Sequence, residues 1–227
     1  DMSKDSEIAK KQIGYLSGNV KLYDKWTGWD HIKFFESVRG KSDIVNDLIK
    51  RLDFNPGVKC RHLSSGNKQK LGLILALMHE PKLLILDEPT VGLDPLLQYE
   101  FHKVILEMRD RGTTVLISSH NLPEVEELCG RVAIIKKGQI VAVENIKTLG
   151  EKKLHKIEVR FKDKVLAAEF NIEGVSKVEQ VGGGLLITAS GDLNSILRII
   201  SRHVVADIDV THASLEDVFM KFYERKK

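Results

Sequence analysis

The sequence predicts an α/β domain followed by a smaller α+β module. Three observations predict it. KLLILD (Lys82 to Asp87) is a continuous apolar run of strand length, the pattern of a strand covered on both faces in a parallel sheet. GTTVLISSH (Gly112 to His120) reads as a second buried strand after an intervening helical stretch, an alternation that argues a parallel sheet with helical crossovers. Beyond the charge-rich GEKKLHK (Gly150 to Lys156) the pattern changes. KIEVRF alternates, putting Ile157, Val159 and Phe161 on one face of a strand covered on one side only.

The remaining elements follow in order. QIGYLSGNVKLYD starts as a short strand and opens into a loop at Ser17, Gly18 and Asn19. Helical periodicity runs from about Gly28 to Arg39 and from about Ser42 to Leu52, where Ile44, Leu48 and Leu52 share a face. Asn55-Pro56-Gly57 is a turn. A long helix starts at Ser64, carries Leu71, Ile74, Leu75 and Met78 inward and stops before Pro81. Asp94 and Pro95 have the form of an N-cap and a first helical residue. The helix they open buries Leu97, Phe101, Val104, Ile105 and Met108. A further helix begins near Asn121, and RVAIIKKGQIVAV reads as two strands joined at Lys137-Gly138. After KIEVRF come a short helix, the strands GVSKVEQV and GLLITAS, a helix from about Asp192 to His203, the strand VVADIDV and a final helix. That order resembles a βαββαβ, ferredoxin-like module. The expected organisation is therefore residues 1–150 for the first domain, with a helical subdomain at about 28–80, and 151–227 for the second.

Composition excludes several classes. Apolar residues make up 42% and charged residues 30%, ordinary for a globular protein, and a net charge of +3 is too small to argue for nucleic acid. Cys60 and Cys129 stand in no metal-ligand spacing and read as reduced thiols of a cytosolic protein. No apolar run approaches the roughly 18 residues of a membrane span, so a membrane role would come through a partner.

Candidate chemistry gathers at the strand ends. A parallel strand delivers its C-terminal end to the ligand crevice, and Asp87 and Glu88 sit at that edge. Two adjacent carboxylates there suit a division of labour in which Asp87 holds Mg²⁺ through water and Glu88 polarises an attacking water. A lone Asp-Glu pair is more often a solvated cap. His120 ends the next strand and, if the two strands are parallel, lies at the same edge within reach of a phosphate or of that water. Upstream, LSSGNKQK (Leu63 to Lys70) sets small residues immediately before a helix, where free backbone N–H groups either bind an anion or are simply capped by serine.

Taken together these segments resemble the ATP-binding subunit of an ABC transporter, a P-loop NTPase with an inserted helical subdomain. The resemblance rests on a signature-like LSSGN, a Walker B LLILDEP, a D-loop VGLD and a switch-histidine SSH, in order, and covers essentially the whole chain. It implies ATP and Mg²⁺ as cofactors, with Asp87 on the metal and Glu88 and His120 as catalytic residues. A second ATP-binding domain would dimerise head to tail, its site closed by Ser64, Ser65, Gly66 and Asn67 and coupled through Asp94. A transmembrane permease subunit would meet the region of Tyr23 and Phe34, for which core packing is an equal alternative. The implied location is cytoplasmic, peripheral at the membrane through that permease. The C-terminal stretch SLEDVFMKFY is similar to an extension in exporters of drugs, lipids and polysaccharides.

The sequence departs from the family pattern. G-x-x-x-x-G-K-[ST], the loop that cradles ATP phosphates, is absent from these 227 residues. The expectation is an N-terminally truncated member that binds ATP poorly by itself, and the alternative is a non-catalytic, degenerate domain that regulates or binds a partner. The Q-loop glutamine falls near Gly18, leaving Asn19 as the amide there, while Ser65 and Asn67 replace a glycine and a glutamine of the signature. A chromosome-maintenance ATPase of the SMC type would need a long coiled coil before the signature, which this chain lacks.

Overall fold

The computed structural model describes residues 5–146, 154–190, 193–212 and 215. The chain divides into two compact units, Asp1–Asn121 and Leu122–Lys227. The expected boundary near residue 150 lies outside the described residues, as does the final helix apart from Leu215.

In the first unit β1 (Ile13–Leu16), β2 (Leu83–Asp87) and β3 (Thr114–Ser118) form a parallel sheet in chain order. A short α1 (Ser6–Lys11) precedes it. α2 (Gly28–Arg39) opens with a capping box in which the Thr27 side chain and Asp30 satisfy each other's backbone N–H. α3 (Val45–Arg51) is shorter than its periodicity suggested and buries Val45 and Leu48. Its Arg51 grips Glu107 with two hydrogen bonds of 2.7 and 2.9 Å, tying α3 to α5 (Pro95–Asp110).

From Gln69 onward α4 (Ser65–Leu77) is buried on every side: Leu73 and Leu77 are as enclosed as the expected Leu71, Ile74 and Leu75. A helix apolar all round belongs in a core rather than on a surface. It packs on β1, while α5 packs on β3 and buries the five residues its periodicity marked.

Two expectations about the sheet need correction. β2 is fully covered on one face only: Leu84 and Leu86 are buried, while Leu83 and Ile85 are partly exposed. β3 is not a buried strand. It lies at the sheet edge, with Leu116 60% exposed. Register explains both findings. Tyr15, Ile85 and Leu116 align across the three strands and so share a face. Tyr15, like Leu116, is largely exposed. The sheet thus has an apolar face with little on it.

The second unit begins with α6 (Leu122–Leu128) and the hairpin of β4 (Arg131–Lys136) and β5 (Gln139–Asn145), turning at Lys137 and Gly138 as expected. β6 (Leu154–Phe161), β7 (Val175–Val181), β8 (Gly184–Ser190) and β9 (Val205–His212) then form an antiparallel sheet of order β7-β8-β6-β9. This is the strand order of the βαββαβ module. Its core joins Ile157, Val159, Leu185 and Ile187 to Phe170 and to Ile196 and Ile200 of α7 (Asn194–Ile200). The expected short helix is a 3-10 turn, Ala167–Phe170, and α7 ends three residues before His203.

Candidate active site

Parallel pairing of β2 with β3 brings Asp87 opposite Ser118, so both strands end at one edge. Ser118 Oγ donates to Asp87 Oδ1 at 2.5 Å, and the Gly18 N–H points to Asp87 Oδ2 at 3.3 Å. A Cβ on Gly18 would lie 3.1 Å from Asp87 Oδ2, so glycine here lets the loop after β1 lie against the carboxylate. Asn19, the expected amide ligand, is exposed, and its carbonyl accepts from Ser17 Oγ at 2.9 Å. Gly18, rather than Asn19, meets Asp87.

Glu88 leaves the strand in a left-handed conformation, φ 47°, which is uncommon for a residue bearing a Cβ. Its N–H is held by the Ser118 carbonyl at 3.0 Å and also points at the Ser118 hydroxyl. Its Oε2 lies 2.8 Å from Nδ1 of His120. The ring is exposed and the carboxylate about one-third exposed, so both face outward where a substrate would approach. The structure therefore brings Asp87, Glu88 and His120 together at one sheet edge.

The signature-like residues form a neighbouring group at the start of α4. Ser64 caps the helix, its Oγ accepting from the Asn67 N–H at 3.2 Å. Gly66 abuts the loop after β2: a Cβ on it would stand 2.6 Å from the Gly92 carbonyl oxygen. Asp94 caps α5, its Oδ1 accepting from the Leu97 N–H at 3.0 Å. Sequence reasoning missed Ser118 and Gln69. Gln69 is buried, and its Nε2 donates to the carbonyls of Glu88 at 3.3 Å and Pro89 at 3.0 Å. A glutamine just ahead of the apolar helical run Leu71–Leu77 was the available signal.

Asp87 offers a hard oxygen donor, exposed and with lone pairs to spare. Among the described residues no group of three or more His, Cys, Asp or Glu is placed to hold a metal ion. Such a donor set fits a cation that brings most of its ligands as waters and phosphate oxygens, as Mg²⁺ does.

Comparison with known proteins shows the family. A family model described as "AAA domain, putative AbiEii toxin, Type IV TA system" matches residues 29–125. The ABC transporter ATP-binding protein MJ1023 of Methanocaldococcus jannaschii is 33% identical over 185 residues, 74% of this chain and 71% of that protein. The chain belongs to the ABC transporter ATP-binding proteins. The ABC transporter ATP-binding protein YdbJ of Bacillus subtilis (strain 168) is 40% identical over 141 residues, which are 60% of this chain. This match spans 46% of the length of YdbJ. Among solved structures, the ATP-binding subunit of an ABC transporter superposes with a TM-score of 0.61 at 25% identity, covering 66% of this chain and 65% of that one. The fold is accordingly that of part of an ABC ATPase domain, of the P-loop NTPase class. No helix of the described residues is long and apolar enough to cross a membrane.

Proposed function

We propose that the chain is the catalytic and signature-bearing part of an ATP-hydrolysing subunit that powers an ABC-type membrane exporter. The observation that carries this reading is the juxtaposition of Asp87, Glu88 and His120 at the sheet edge, with Glu88 and His120 in hydrogen-bond contact. Glu88 acts as general base on the attacking water, and His120 orients that carboxylate and senses the terminal phosphate. Asp87, aimed by Ser118 and Gly18, holds Mg²⁺, which when bound neutralises charge on the phosphates. Ser64, Ser65, Gly66 and Asn67 close the site of a second ATP-binding domain in a head-to-tail dimer, and Asp94 couples the two sites.

Tyr23 and Phe34 belong to a ring cluster with Trp26 and His31, yet remain 65% and 49% exposed. That exposure disfavours core packing. It favours docking of a transmembrane permease against the adjoining groove of about 330 Å³, which would hold the subunit at the cytoplasmic face of the membrane.

The phosphate loop is absent from the 227 residues, and the sheet carries an open apolar face. Both features support further polypeptide that supplies the loop and covers the Tyr15–Ile85–Leu116 row. Alone, the chain is expected to bind ATP weakly and to hydrolyse none. The degenerate, regulatory reading rests on the same missing loop. Sequencing about 100 codons upstream, the reach of an ordinary domain, followed by an ATP-binding titration, separates the two. An in-frame strand with G-x-x-x-x-G-K-[ST], whose inclusion brings ATP binding, supports the ATPase. A start codon at the first residues with no such segment overturns it.

A further inference from the structure

We infer that Gln69 is the positioning residue for Glu88, tethering the turn that carries the general base to the signature helix. Gln69 is only 6% exposed, and apart from Lys70, whose Nζ donates to the Asp53 carbonyl at 2.9 Å, the buried positions that follow it on the helix are apolar. A buried amide there is tolerated only when hydrogen-bonded. Its two partners are both carbonyl oxygens, of Glu88 and Pro89, and this fixes the NH₂ end toward the turn.

The turn needs holding. Glu88 has a positive φ, a conformation that persists only where its surroundings over-determine it. Ser118 fixes its N–H from β3 and Gln69 fixes its carbonyl from α4, so the peptide groups on both sides of the Glu88 Cα are clamped. From that Cα the carboxylate reaches His120. One turn earlier on the same helix, Gly66 rests against the Gly92 carbonyl. α4 therefore touches the loop from Glu88 to Asp94 at two points, three residues apart on one helix face. A displacement of α4 is passed directly to the base.

The consequence rests on the proposed function. If the start of α4 meets the nucleotide of a partner domain while Glu88 serves the chain's own site, Gln69 joins the two sites within one subunit.

The test uses Gln69→Met, which keeps the volume and removes the donors, and Gln69→Asn, which keeps the amide but shortens its reach. In the 227-residue chain, hydrogen exchange at the Glu88 amide is expected to quicken about tenfold or more as the clamp opens. The ring ¹⁵N resonances of His120 are expected to move as its contact with Glu88 loosens. Global loss of stability without repositioning would leave the native His120 resonances in place. Should the methionine variant fail to fold, the asparagine variant carries the same readouts. In the protein that includes a phosphate loop, kcat is expected to fall about 10- to 100-fold with KM for ATP unchanged, as for a misplaced catalytic group. Unchanged exchange and unchanged His120 resonances in both folded variants would overturn the inference. Moved resonances with unaltered kcat would uphold it and overturn instead the role of Glu88 as base.

Discussion

Replacing Leu116 by threonine tests whether the open sheet face is real and whether it is later covered. Leu116 is 60% exposed, so folding of this chain removes only about 40% of its surface from water. Full burial of a leucine contributes about 1.5–3 kcal/mol, and that fraction of it is about 0.6–1.2 kcal/mol. Threonine keeps one methyl group and suits a strand, which trims the loss further. The expected cost of Leu116→Thr in the 227-residue chain is therefore below about 1 kcal/mol. Where further polypeptide covers the face, the whole leucine contribution is lost and a hydroxyl is buried, so the cost rises to about 3 kcal/mol or more. Urea unfolding of both forms, compared at unchanged m-value, reads the difference. A loss above about 2 kcal/mol in the 227-residue chain would mean that Leu116 is buried in solution, and the reasoning from register and exposure would fail. A loss below 1 kcal/mol in the longer protein would refute covering of this face.

Asp94→Ala removes the cap of α5 and should cost about 1 kcal/mol in urea unfolding, with Asp94→Asn recovering most of it; equal losses for both would show that the cap hydrogen bond is not what Asp94 contributes. In the second unit His203 lies between two carboxylates, Nδ1 2.9 Å from Asp163 and Nε2 3.0 Å from Glu169. The bond to Asp163 holds His203 above its ordinary value, with Glu169 adding to this and burial opposing it. The bond from His203 lowers Asp163, and the Leu166 N–H, followed by His203, lowers Glu169. A raised histidine stabilises fully below its unfolded value of 6.5 and loses that contribution as pH rises through its folded value; the lowered carboxylates stabilise above 3.8 and 4.5 and lose theirs as pH falls through their folded values. The unfolding midpoint of wild type minus that of His203→Gln should accordingly be largest between about pH 4.5 and 6.5, shrink on both sides and diminish with salt. A difference that grew toward pH 9 would contradict this pairing.

Much of this molecule was legible in sequence because local patterns carried it. The five inward residues of α5 follow from helical period alone, its cap from Asp94-Pro95, and the succession of strands along the second module from alternation and turns. Asp87, Glu88 and His120 were predicted to converge because strand ends in a parallel sheet share an edge, and the parallel pairing of β2 with β3 brings them there. What escaped was set by neighbours in space. An apolar run such as TVLIS looks the same at a sheet edge as at its centre, so the exposure of Leu116 had no local sign. The contacts of Ser118 and Gln69 depend on register and on helix packing against the turn, which no single segment encodes.

The most direct measurement is Mg-ATP turnover by the protein that includes a phosphate loop, compared with its Glu88→Gln variant. A general base within hydrogen-bond reach of its water is worth about 10²- to 10⁴-fold, so turnover should fall by that factor while ATP binding is retained. Turnover unaffected by Glu88→Gln, with ATP still bound, would contradict the assignment of this sheet edge as the hydrolytic end of an ATPase.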